Sequence, residues 1–177
     1  MRPMKRSIER KILLCAIALV LGALPATAQE KKSEVKVNYD KLKDRTCASI
    51  YIGHISDSLT SHTVSMYASY CSQGQKLEAP TMIDLRLYSG AWLEVVNEQW
   101  RASFLLDGNE RLTFVGRSVG VPGTNVGSMS VEVPRGDLLR ITSAKLVEFQ
   151  LGAAVYKLQE KELGKLKDLA ESRSADH

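Results

Sequence analysis

Arg45-Thr46-Cys47-Ala48-Ser49-Ile50-Tyr51-Ile52-Gly53-His54-Ile55 and His62-Thr63-Val64-Ser65-Met66-Tyr67-Ala68-Ser69-Tyr70-Cys71-Ser72 decide the fold. Both segments have strand composition, and the polar run Ser56-Asp57-Ser58-Leu59-Thr60-Ser61 between them reads as a turn. Laid antiparallel so that Cys47 meets Cys71, they also pair Ala48 with Tyr70, Ile50 with Ala68, Ile52 with Met66 and His54 with Val64. One face is then almost wholly apolar. The other carries Ser49–Ser69, Tyr51–Tyr67 and the cysteines. A slip of one residue would mix the faces, so cysteine position and hydrophobic pattern point independently to the same register.

Directly opposed strand positions are close enough for a disulfide. Closing a loop of about 25 residues is worth roughly 3.5 kcal/mol in the chain-entropy model. A redox-active pair would show tight C-x-x-C spacing, which is absent here, so Cys47–Cys71 reads as structural.

Working outward to the N-terminus, Arg2 to Lys11 is a charged region and Ile12 to Leu24 a short apolar run. Ala26-Thr27-Ala28 supplies small residues before Gln29. This is the pattern of a signal peptide over 1–28, with cleavage expected between Ala28 and Gln29. The apolar run is too short to span a bilayer as a helix. Cys15 sits near its start, where a lipid-attachment cysteine is not expected. The expected location is therefore the periplasm or the exterior, an oxidising setting that suits the remaining cysteine pair.

The formal charge of +4 belongs to this leader. Residues 1–28 hold five basic side chains and one acidic, leaving 19 of each sign in the remainder. A neutral domain gives no electrostatic reason to expect nucleic acid or anionic membrane as partner. Composition, at 44% hydrophobic and 25% charged, is ordinary for a globular chain and excludes collagen-like or multi-span classes.

Residues 29–36 read as a mobile polar terminus and 37–173 as a single domain. Ile83, Leu85 and Leu87 alternate with Asp84, Arg86 and Tyr88 in a half-buried strand. Trp92–Val96 and Arg101–Leu106 follow as strands. A three-residue loop at Asp107-Gly108 returns the chain into Arg111–Gly116, setting Phe104 against Leu112 and Ala102 against Phe114. Gly116–Gly127 is a glycine-rich loop, and Ser128–Val133 alternates again. Pro134–Ala144 predicts a short helix with Leu138, Leu139 and Ile141 inward and Asp137 as its cap. Lys145–Leu151 and Ala154–Leu158 form a hairpin about a II′ turn at Gly152-Ala153, pairing Val147 with Leu158, Phe149 with Tyr156 and Glu148 with Lys157. Gln159–Arg173 has Leu163, Leu166, Leu169 and Ala170 at helical spacing, a stripe that must pack on the sheet. The expected fold is mainly β: an antiparallel β-sandwich with a short helix near 135–143 and a C-terminal amphipathic helix.

The opening Asn38-Tyr39-Asp40-Lys41-Leu42-Lys43-Asp44-Arg45-Thr46, the Leu106-Asp107-Gly108 turn and a closing block resemble a loose group of exported bacterial domains of uncharacterised function. That block comprises Ile141 to Lys145, Val147 to Gly152, the Leu158 strand end and the terminal helix. The resemblance covers about residues 37–171. It implies a β-sandwich plus C-terminal helix, and no activity. Gln159 stands where a Ser or Asp cap is usual in the group, which weakens the expected cap.

Candidate chemistry is sparse. Gly116-Arg117-Ser118-Val119-Gly120 matches G-x-S-x-G, but that motif needs a following helix, and only His177 could serve as base. His54 and His62 flank the first turn near Asp57, a weak candidate pair for zinc with no third histidine in the pattern. Arg135-Gly136-Asp137 is an RGD tripeptide at a helix start. No cofactor motif is present. Tyr51, Tyr67, Tyr88, Trp92 and Trp100 are the sharper possibility: Tyr51 and Tyr67 pair across the wet face, where exposed rings can stack on sugars or on a partner's apolar surface. The same pair would also strengthen the sheet as a cross-strand contact. The expected function is a non-catalytic exported domain that binds a protein or glycan of the bacterial envelope. The alternative is an envelope hydrolase with an unrecognised carboxylate site. A third role, anchoring through the tail helix, is opposed by that helix's Lys/Glu balance.

Overall fold

Alternation of apolar and polar residues dictates a strand with one buried face, and it recurs along most of this chain. The computed structural model describes residues 34–57, 62–89, 101–118 and 127–172. Nine strands result: β1 (Lys36–Asp40), β2 (Arg45–Ser56), β3 (Thr63–Gln73), β4 (Met82–Ser89), β5 (Arg101–Leu106), β6 (Glu110–Ser118), β7 (Gly127–Pro134), β8 (Val147–Leu151) and β9 (Ala154–Leu158). They form one open antiparallel sheet in the order β1-β2-β3-β4-β7-β6-β5-β8-β9. Among the described residues two helices, α1 (Arg135–Ser143) and α2 (Glu160–Glu171), accompany the sheet. Neither is long and apolar enough to cross a membrane.

Asp57, just beyond β2, forms an isolated bridge to Tyr156 in β9, and the Asp57 carboxylate accepts the Val155 N–H at 3.3 Å. Inward-facing side chains of all but the first strand feed one core with Leu138 and Ile141 of α1 and Leu163, Leu166, Leu169 and Ala170 of α2. Each fully buried leucine there contributes about 2 kcal/mol relative to exposure. The expected inward face of α1 is confirmed at Leu138 and Ile141, while Leu139 is only partly buried. Phe104 stacks on Phe149 at 5.7 Å and Phe149 on Tyr156 at 4.8 Å, joining β5, β8 and β9 through aromatic contacts.

The hairpin registers follow the sequence reading closely. Cys47 pairs with Cys71, Ala48 with Tyr70, Ile50 with Ala68 and Tyr51 with Tyr67, and the disulfide is formed. Phe104 opposes Leu112 and Ala102 opposes Phe114 across the three-residue loop. Val147, Glu148 and Phe149 meet Leu158, Lys157 and Tyr156. Of the two turn residues Gly152 and Ala153, only Gly152 has positive φ, at 56°, as a II′ turn requires.

The second half of the first hairpin departs from expectation. A β-bulge between Tyr51 and Gly53 shifts the register, so Met66 lies opposite Gly53 rather than Ile52, and Val64 opposite Ile55 rather than His54. Ile52 and Ile55 are both buried, whereas His54 turns out to solvent. The bulge lets two core isoleucines three positions apart face the same way. Gly53 sits at φ 157°, a conformation costly for any residue with a Cβ.

Asp137 does not cap α1. Pro134 holds the N-cap position, and Asp137 lies in the first turn, bonded to Arg140 Nη1 at 2.8 Å. The start of α2 is better held than Gln159 predicts, because the Glu162 carboxylate reaches back to the Gln159 N–H at 3.0 Å. Trp92–Val96 and much of the glycine-rich loop lie outside the described residues.

Candidate binding face

The outward side chains of β2, β3 and β4 stand in straight rungs because antiparallel register sets them opposite one another. Tyr51 faces Tyr67, which faces Arg86. Ser49 faces Ser69, which faces Asp84, and Ser65 faces Tyr88. The rings of Tyr51 and Tyr67 lie 4.7 Å apart, and Tyr67 meets Tyr88 edge-on at 5.6 Å. Tyr51 and Tyr67 remain 36% and 45% exposed, which is large for aromatic side chains within a sheet. Edge-on against Tyr51, at 5.5 Å, lies His54, whose Nδ1 bonds to the Ser65 hydroxyl at 2.8 Å. The bulge thus carries His54 from its expected core position into the aromatic row.

Arg86 stands among these rings. It pairs with Asp84 at 3.2 Å, and its charged form is stabilised first by the Tyr88 hydroxyl and then by Asp84. Asp84 also accepts a short hydrogen bond from the buried Ser130 hydroxyl. Beyond it, Arg117 pairs with Glu132 at 3.4 Å beside a shallow cavity of about 130 Å³. The disulfide lies on the same face of the hairpin, one rung beyond Ser49 and Ser69. The face combines flat apolar rings with fixed donors and acceptors, a combination suited to stacking and hydrogen bonding.

The other candidates disperse. Ser118 lies at the end of β6, paired antiparallel with Met129; Val119, Gly120 and His177 lie outside the described residues. Asp57 meets His62 through backbone, its N–H donating to the His62 carbonyl at 2.7 Å, while its carboxylate faces β9. Among the described residues no three His, Cys, Asp or Glu side chains gather as a metal site. The RGD side chains are engaged: Arg135 Nε donates to the Ala170 carbonyl at 2.9 Å, and Asp137 pairs with Arg140. A second shallow cavity, of about 90 Å³, is lined by Ser103, Leu105, Arg111, Glu148, Gln150 and Val155, with one carboxylate among them. Trp92 and Trp100 lie outside the described residues.

No family model, curated protein or solved structure matches this chain.

Arg86 and Asp84 are the members of this face that reading the sequence did not single out. Their outward direction was visible in the alternation of β4. Their place beside Tyr67 depends on the β3–β4 register, which no short turn specifies.

Proposed function

We propose that this chain is an exported, non-catalytic binding domain of the bacterial envelope, and that the outer face of β2–β4 holds its ligand, a glycan or a protein surface. The observation that carries this reading is the contiguous row of exposed Tyr51 and Tyr67 and half-buried Tyr88 beside the Arg86–Asp84 pair. Rings kept in water at that cost offer an apolar platform, and the ion pair beside it supplies directional hydrogen bonds. Trp92 and Trp100 are expected to extend the contact. The leader pattern and the resemblance to exported domains support the compartment. The return of β9 to β2 supports a sandwich in which the two halves of the sheet face each other across the core.

Retention of envelope glycans and proteins by the immobilised protein tests the reading, with Tyr51→Ala/Tyr67→Ala as control. Material held by wild type and released by the double variant supports the face. Identical retention by both excludes it.

A further inference from the structure

Among the described strands β1 pairs with β2 alone and forms one edge of the sheet. An edge strand retains unused N–H and C=O groups, and their direction here follows from register. The Cα atoms of Cys47 and Cys71 are 4.0 Å apart, the closeness of a non-hydrogen-bonded antiparallel pair. Cys47 therefore turns its backbone polar groups away from β3, towards its β1 partner Asn38. Asn38 answers inward, and alternation leaves those of Val37 and Tyr39 directed outward.

The strand is also complementary to itself. Antiparallel pairing of two copies about Asn38 sets Lys36 against Asp40 and Val37 against Tyr39 on both sides of a two-fold axis. Opposite charges and aromatic–β-branched pairs are favourable when directly opposed. Val37 is 51% exposed, so its side chain has surface to bury. Asp40 is already held in place, its Oδ1 accepting the Leu42 and Lys43 N–H groups at 3.1 and 3.3 Å and its Oδ2 lying 3.9 Å from Arg45 Nε. A lone edge lysine discourages strand addition; in this register the second copy supplies its counter-charge.

We propose that β1 is a homotypic docking edge, to which a second copy of this chain adds its own β1 antiparallel. The Val37 and Tyr39 rungs exchange main-chain hydrogen bonds, and Lys36 and Asp40 fix direction and register. The inference is independent of the binding face on β2–β4.

Sedimentation of the chain, expressed from its full sequence and purified as the cell leaves it, tests the proposal. The series should reach ~1 mM, because a short edge contact belongs at the low end of interface sizes. Wild type is expected to reach twice the monomer mass. Lys36→Glu and Asp40→Lys should each weaken association at least about tenfold, since like charges then oppose. An equimolar mixture of the two should recover the dimer, because each supplies the charge the other lacks. Val37→Pro removes an outward N–H and leaves the ladder to β2 intact, so it should be monomeric with an unchanged melting temperature even if Asp40→Lys folds poorly. A wild type that stays monomeric throughout, variants that dimerise like wild type, or a mixture that fails to recover would each overturn the proposal.

Discussion

The Lys165 ammonium donates to the Tyr51 carbonyl oxygen at 3.1 Å, tying α2 to the bulge from which the aromatic row begins. Its side chain is only 15% exposed, and Glu34 meets the same nitrogen at 2.7 Å. A bulge disrupts the ladder locally, and here a helix supplies the missing donor.

Lys165→Met should therefore cost about 1.5–3 kcal/mol, the worth of one hydrogen bond to a charged donor. Urea unfolding followed by far-UV circular dichroism measures the loss. The near-UV tyrosine signal should change as well, because Tyr51 would no longer be held from behind. Loss of stability with an unaltered tyrosine signal would show that the contact does not position the ring.

Gly53→Ala should destabilise by about 1–3 kcal/mol through backbone strain alone. A Cβ there would meet Glu162 Oε1 at 3.6 Å, an ordinary contact, so crowding adds little. A drop in the urea midpoint with an unchanged slope is the expected signature.

Replacing Cys47 and Cys71 together by alanine should remove roughly 3 kcal/mol. The fold should persist, because the bond lies on the outer face while Ala48, Ile50, Ala68 and Tyr70 remain buried beneath it. Thermal melts of the double variant and of reduced wild type should agree. Alkylation of unreduced wild type followed by mass spectrometry should label neither sulfur.

Tyr70 and Tyr156 should behave oppositely when truncated to phenylalanine. The Tyr70 hydroxyl donates to the Ser172 carbonyl at 2.6 Å, so Tyr70→Phe should cost about 1 kcal/mol. The Tyr156 hydroxyl is buried with no hydrogen-bond partner among the described residues, so Tyr156→Phe should be neutral or stabilising by about 1 kcal/mol. Burial, reinforced by Asp57, raises the Tyr156 pKa above the usual tyrosine value of about 10. The folded state then holds that proton more tightly than the unfolded chain. Its contribution is intact below that usual value and is lost as pH rises through the folded-state pKa. Denaturant titrations at neutral and strongly alkaline pH should show a smaller alkaline loss for Tyr156→Phe than for wild type.

Much of this fold was legible where strands are joined by short turns. The Gly152-Ala153 and Asp107–Asn109 loops fix their hairpins, so a few residues determine every rung. The cysteines did the same for the first half of β2 and β3. Beyond Tyr51 the signal was present but easily misread: Ile52 and Ile55 are separated by two residues, one of them glycine, which breaks strict alternation where the bulge lies. The β4–β7 and β5–β8 pairings were not legible, because they join segments distant in sequence with no turn to fix them. The same gap hid Arg86 beside Tyr67, although each residue's face had been read separately.

The latest residues of the chain fasten its earliest strands. Tyr70 closes on Ser172, Tyr51 on Lys165 and Asp57 on Val155, contacts that span about a hundred positions. A nascent chain still lacking its last twenty or so residues has no partner for any of these groups except Asp57, and the apolar stripe of α2 is missing from its core. Contacts this distant form slowly, since the intervening loop must close before they reward it. The core therefore cannot close until α2 has been made and its apolar stripe is in place.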